Sequence, residues 1–233
     1  MKVKLLAYTK DPEQVVAAAI RQCYASVGAR ELKQKIDKET RQRLIRQVLS
    51  SGHTSTLEHA SFTFAIEGVS RVTEIHLIRH RIGTSFSIQS GRYVKRGDAK
   101  YVIPAAVKAN KEIYPKYRKI LKEAQSLYNE MTDAGIKAED ARYLQPQSVE
   151  VKIVVTMNAR ALLHFFELRC CRRAQWEVQQ MANLMMAEVK KVAPTIFEKA
   201  GPTCLTEKIC WEGEKMSCGL YKNIKGAEVR TRI

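Results

Sequence analysis

Residues 148–169 read SVEVKIVVTMNARALLHFFELR, and the stretch changes character at Asn158. Its first half, SVEVKIVVTMN, is the clearest strand signal in the chain. ARALLHFFELR reads as a helix, and Asn158 stands where a helix cap belongs. A strand feeding straight into a helix predicts a mixed α/β protein. Downstream, RAQWEVQQMANLMMAEVKKVAP predicts a second helix that ends before Pro194. Upstream, AEDARYLQP is a short helix closed by Pro146, and Ala105 to Ala134 is helical, interrupted near Pro115 and stopped at Gly135. Ser70 caps RVTEIHLIRHR, and SFTFAIEG before it alternates apolar and polar residues at Phe62, Phe64 and Ile66, as a half-buried strand does. A helix is expected from about Lys38 to Ser51, stopped by Gly52. Asp11 and Pro12 open another helix, and Val3–Tyr8 forms a first strand. With no internal repeat and no Gly/Ser/Pro-rich linker, residues 1–233 are expected to form one domain, with a cysteine-containing tail from about residue 201.

The 233 residues carry 40 Lys+Arg against 24 Asp+Glu, a formal charge of +16. That excess points to phosphate-bearing or polyanionic partners, or to a solvated lysine-rich surface. No apolar run reaches the roughly 18–20 residues of a membrane span. The N-terminal apolar stretch is too short for a signal peptide. A cytoplasmic protein with reduced cysteines is expected.

Three clusters stand out. IRHRIGTSFSIQSGRY, residues 78–93, places Arg79, His80, Arg81 and Arg92 around a loop of Thr84, Ser85, Ser87, Gln89, Ser90 and Gly91. Cations at a helix C-terminus would explain the first three alone. Phosphate binding explains the whole stretch better, since arginine forks suit phosphate and Gly91 allows close backbone approach. In the second cluster Arg160 and His164 are i, i+4 neighbours on one helix face. Arg169 ends the same helix, where it needs a partner such as Glu167 or Glu177, or a ligand. The third, HTSTLEHASFTF, offers His53, Glu58 and His59, but lacks the histidine spacing of a zinc helix. A turn or cap built on Ser55 and Glu58 is expected instead. The tail pattern C-x5-C-x7-C at Cys204, Cys210 and Cys218, joined by Cys170 or Cys171, could in principle hold zinc or an iron–sulfur cluster. It has no C-x2-C pair, so packed free thiols and no metal are expected. The final KNIKGAEVRTRI reads as a mobile basic tail.

Together the clusters resemble the flavin-dependent thymidylate synthase family. The family signature is RHR, seven residues, S, then RY; here eight residues separate Arg79-His80-Arg81 from Ser90-Gly91-Arg92-Tyr93. GHTSTLEH, DARYLQP and NARALLHFFELR followed by AQWE match further family elements in the family's order. His76 stands where many members have Gln, and Ile88 where some have Glu.

The resemblance implies an α/β (α+β) fold of the thymidylate synthase-complementing type, with a central, mostly antiparallel sheet flanked by helices. It implies a homotetramer with active sites between subunits and reductive methylation of dUMP to dTMP. FAD would be the cofactor, with 5,10-methylenetetrahydrofolate and NADPH as co-substrates and no nucleic-acid or membrane partner. FAD would contact Ser55, Arg79, His80, Arg81, Asn158, Arg160 and His164. The nucleotide dUMP would contact His76, Arg79, Gln89, Ser90, Gly91, Arg92, Arg142 and Arg169, the last as the catalytic cation. Making C5 of a uracil nucleophilic requires either a thiolate at C6 or stabilised charge over N3 and its carbonyl, and the family uses no enzyme nucleophile. Two other readings stay open: a basic nucleic-acid-binding protein, and a flavoenzyme of the same fold with an altered substrate. The first lacks interleaved exposed aromatics.

Overall fold

The computed structural model describes residues 1–231, in which helices flank a sheet. β1 (Lys2–Tyr8) leads into α1 (Pro12–Gln22), α2 (Ala29–Lys35) and α3 (Lys38–Ser51), and a 3-10 turn, Thr54–His59, then enters β2 (Ser61–Ser70). Next come α4 (Arg71–Leu77), β3 (Thr84–Ile88), α5 (Ala105–Ala109), α6 (Ile113–Asp133) and α7 (Ala138–Ala141). β4 (Glu150–Asn158), α8 (Ala159–Arg169) and α9 (Trp176–Val192) complete the main body.

Most boundaries follow from local chemistry. Gly52 stops α3 by adopting φ 76°, a left-handed conformation that costs glycine little. Ser70 and Asn158 cap α4 and α8 as expected, accepting the N–H of Thr73 (3.3 Å) and of Ala161 (2.8 Å). Asp11 does not cap with its side chain. It turns left-handed at φ 52°, and its carbonyl accepts from Gln14 and Val15 instead. Two other expectations need correction. α4 ends at Leu77, so Arg79, His80 and Arg81 lie past the helix rather than in its last turn, and the helix-end account of them loses force. The supposed polar loop contains β3, because Thr84, Phe86 and Ile88 turn to one side and are half-buried while Ser85 and Ser87 face solvent. Pro115 sits in the first turn of α6, where its missing N–H costs nothing, and the break falls just upstream.

Among the described residues a four-stranded sheet runs in the order β1-β2-β4-β3. Its pairing is antiparallel: Thr9 donates to Ser61, Arg71 to Val149, Ala159 to Ala60, Asn158 to Gly83 and Gln89 to Lys152, rising numbers against falling ones. Contacts divide the chain into two compact units. The first comprises Met1–Lys2, Ile66–Arg79 and Phe86–Val154; its core holds Ile66, Val69, Leu77, Leu121, Tyr128, Val151 and Ile153. The second comprises Val3–Ala65, His80–Ser85 and the chain from Val155 onward, around Phe62, Phe64, Leu162, Phe165, Phe166 and Phe197. Phe62 and Phe197 meet edge-to-face at 5.4 Å, a favoured aromatic geometry.

The C-terminal segment folds rather than trailing. Ile209–Cys210 pairs in parallel with Glu228–Val229, and a bridge joins Glu212 to Thr231, so the expected mobile tail is held as far as Thr231; residues 232–233 lie outside the described residues. All six cysteines are free, with Cys170, Cys204 and Cys210 buried. Among the described residues no group of three or more His, Cys, Asp or Glu side chains is placed to hold a metal ion, and no helix is long and apolar enough to cross a membrane.

Candidate active site

In the second unit, β4 runs out at Asn158 and α8 begins at once. Gly83 makes that junction possible. Its carbonyl accepts the Asn158 N–H at 3.0 Å, it sits at φ 69°, and a Cβ there would lie 2.5 Å from Asn158 Nδ2. Only glycine fits both the backbone and the space. α8 then buries Leu162, Phe165 and Phe166 and turns Arg160 and His164 the other way. Both line a cavity of about 1210 Å³, together with Asn158, Thr54, Arg43 and Arg46. Ordinary small-molecule sites occupy about 300–1,000 Å³, so this one has room for a dinucleotide-sized group. Its cations are partly matched: Arg160 meets Glu58 at 2.6 Å and Arg46 meets Glu198 at 2.8 Å. These pairs are about half exposed, so each is worth little and can open for a stronger anion.

At the far end of α8, Arg169 donates its Nε–H to His80 Nε2 at 2.9 Å. The His80 ring stands edge-on to Phe165, with centroids 4.9 Å apart, and near His164. Burial, then the charge of Arg169 and of His164, lowers the His80 pKa to about 4. The imidazole is therefore neutral at neutral pH. Since Nε2 accepts, its single proton is on Nδ1. Burial pushes the neighbouring Cys170 thiol up to about 12 and raises Cys171 as well, so neither is a ready thiolate.

The first unit gathers the other half of the expected constellation. Ser90 Oγ accepts the Arg92 N–H at 3.1 Å, shaping a tight turn. A Cβ on Gly91 would lie 3.5 Å from Arg142 Cδ, so Gly91 lets that arginine approach. Arg92 reaches the Glu139 carboxylate at 2.8 Å, and Arg142 donates to the Glu139 carbonyl at 3.1 Å. Gln89, Ser90, Gly91, Arg92 and Arg142 thus stand together. His76 lies within α4, and Arg79 is exposed beyond it. In the second unit Ser55 and Arg81 are exposed beside the cavity-lining Thr54 and Ile82.

Sequence reasoning overlooked several residues. Glu58, expected in a turn or cap, lies in the Thr54–His59 turn, but its pairing with Arg160 has no signal in the sequence. Arg43, Arg46 and Lys199 line the cavity, although the sequence marks the first two only as part of a helix from about Lys38 to Ser51. Arg96 is buried in a loop with no apolar pattern to reveal it.

Residues 4–195 match the family model described as thymidylate synthase complementing protein. A flavin-dependent thymidylate synthase of Geobacter sulfurreducens is 49% identical over 99% of this chain and 97% of its own. One from Clostridium tetani is 42% identical over 97% and 96%. Among solved structures, a UMP/dUMP methylase, PolB from Streptomyces cacaoi bound with 5-Br dUMP, superposes with a TM-score of 0.74 at 28% identity, covering 84% of this chain and 93% of that one. With a family model matched over most of its length and full-length kinship to curated enzymes, this chain belongs to the thymidylate synthase complementing protein family, whose curated relatives are flavin-dependent thymidylate synthases.

Proposed function

We propose that this chain converts dUMP to dTMP by reductive methylation. The methylene comes from 5,10-methylenetetrahydrofolate and the electrons from NADPH by way of FAD, in a cytoplasmic homotetramer of single-domain subunits whose sites are shared between subunits. The observation that carries the reading is the Arg169–His80 pair, in a chain whose relatives are flavin-dependent thymidylate synthases. The cavity fits the cofactor: it is large, and Asn158, Arg160 and His164 offer it an amide, a guanidinium and an imidazole. These three hold FAD, with Ser55, Arg79, His80 and Arg81 completing its contacts. Bound FAD supplies hydride chemistry that no side chain can.

The Ser90–Arg92 turn and Arg142 take the dUMP phosphate, which displaces Glu139 from Arg92; His76, Arg79 and Gln89 complete the nucleotide's contacts. Arg169, its fork fixed by neutral His80, stabilises the charge that spreads over N3 and the adjacent carbonyl as C5 becomes nucleophilic. A donor placed at developing charge is worth about 3–4 kcal/mol, or roughly 10²–10³ in rate. The raised thiols of Cys170 and Cys171 support a route without a covalent enzyme adduct.

Purified protein is expected to show a flavin absorption band and to release tritium from C5-labelled dUMP when the folate and NADPH are supplied. Arg169→Ala is expected to keep its flavin and to lose thymidylate formation by roughly 10²–10³. Full activity in that variant overturns the mechanism. Protein with neither flavin nor tritium release overturns the assignment.

A further inference from the structure

Residues 89–104, between β3 and α5, form neither helix nor strand apart from the bridge between Tyr101 and Val149. In the middle of this irregular stretch Arg96 is only 8% exposed, while Lys95 and Gly97 on either side face solvent. A guanidinium is withdrawn from water at high cost unless its hydrogen bonds and charge are met inside. Arg96 meets most of them on both sides of the loop, with only its Nε left without a hydrogen-bond partner. One terminal nitrogen donates to the Gln89 carbonyl at 3.3 Å and the other to the Glu150 carbonyl of β4 at 3.4 Å. Its backbone N–H donates to Tyr128 Oη at 3.1 Å, and its carbonyl accepts from Gln125 Nε2 at 2.8 Å. Asn129 donates to the Gly97 carbonyl at 3.2 Å, and Tyr101 Oη donates to Gln125 Oε1 at 2.9 Å. Gln125, Tyr128 and Asn129 are spaced i, i+3, i+4, so one face of α6 receives the loop. The buried Glu74 carboxylate opposes the charge of Arg96 and also pairs with Arg71 at 3.3 Å.

The loop fastened this way carries Gln89, Ser90, Gly91 and Arg92, and a Cβ on Gly91 would lie 3.9 Å from Arg96 Cζ. The guanidinium therefore sits directly behind the turn that, on the reading above, takes the nucleotide phosphate. We infer that Arg96 is a positioning residue for dUMP: by tying the Gln89 carbonyl to β4 and the following backbone to α6, it holds the Gln89–Arg92 turn in its binding shape before the ligand arrives. A turn already ordered spends less of its binding energy on ordering, so losing the tie weakens nucleotide binding without touching the flavin cavity. The inference rests on the proposed function.

The test uses the full-length flavoprotein with dUMP itself as the probe. Arg96→Met keeps the apolar stem and removes the fork. It is expected to raise the dissociation constant and KM for dUMP at least tenfold, while flavin content and kcat at saturating dUMP stay within about twofold. Arg96→Lys keeps the charge and is expected to recover part of the affinity. Arg96→Met binding dUMP as tightly as the parent, or weakening flavin and dUMP equally, overturns the inference alone. A parent protein that binds no dUMP overturns the functional reading and this inference with it. Should Arg96→Met fail to fold, Tyr128→Phe removes one acceptor from a ring that stays buried. It is expected to raise the dUMP dissociation constant severalfold and to speed hydrogen exchange at the Arg96 amide; unchanged values for both overturn the inference.

Discussion

A histidine that accepts a hydrogen bond from an arginine does so only while its ring carries a single proton. His80 keeps that state because burial, more than the nearby charges of Arg169 and His164, holds its pKa near 4 instead of 6.5. Between those two values the unfolded ring binds more protons than the folded one, so the folded state loses stability as pH falls through that window and keeps the full contribution above about 6.5. His80→Gln retains a carbonyl to accept the Arg169 Nε–H but does not titrate. Thermal midpoints recorded from pH 4.5 to 7.5 are expected to fall more steeply for the parent than for this variant, and parallel curves would remove the role given to His80. The thiols give a second contrast. Cys23 and Cys218 are exposed, whereas Cys170 is buried and its pKa stands near 12. Iodoacetamide at neutral pH is expected to label Cys23 and Cys218 in native protein and to spare Cys170, as peptide mass mapping would reveal. Early labelling of Cys170 would reopen the thiolate route.

The passage from β4 into α8 depends on two residues that touch. Asn158 caps the helix, and Gly83 passes so close that any side chain there would strike the cap. Losing the cap in Asn158→Ala is expected to cost about 1 kcal/mol. Gly83→Ala adds a left-handed alanine and a clash, and is expected to cost about 1–3 kcal/mol. The double variant should cost less than the sum, because removing the Asn158 side chain clears the space the new methyl needs. Denaturant midpoints of the four proteins measure this, and strict additivity would mean the two residues do not share that space. The cap itself was legible, since Asn before ARALLHFFELR has a local meaning, as did Ser70 and Gly52. β3 was hidden because alternation of Thr84, Phe86 and Ile88 among serines looks like polar loop until a sheet edge is there to receive it. The Arg160–Glu58 and Arg169–His80 contacts join residues 102 and 89 positions apart, so spacing could nominate those arginines but not name their partners. Arg96 gave no signal, because its burial is set by α6, more than two dozen residues downstream.

For the molecule as a whole, the excess of 40 basic over 24 acidic residues is far larger than the cavity and the proposed phosphate turn would require. Its effect reaches beyond contact distance, because net charge of this size attracts anions before they touch the surface. The proposed ligands, flavin dinucleotide and dUMP, are both anionic, and the cavity cations Arg160 and Arg46 pair with half-exposed carboxylates, Glu58 and Glu198. Screening separates the two contributions. The Debye length shrinks from about 30 Å at 0.01 M salt to about 3 Å at 1 M, which removes long-range attraction but leaves close contacts largely intact. Association rates of FAD with the apoprotein and of dUMP with the flavoprotein, followed by stopped-flow fluorescence, are therefore expected to fall by roughly tenfold or more across that range. Dissociation rates should change much less, because they report the contacts made once the ligand is seated. Association rates that stay flat with salt would mean the surplus charge does not face the routes these ligands take, and its purpose would have to be sought on another surface.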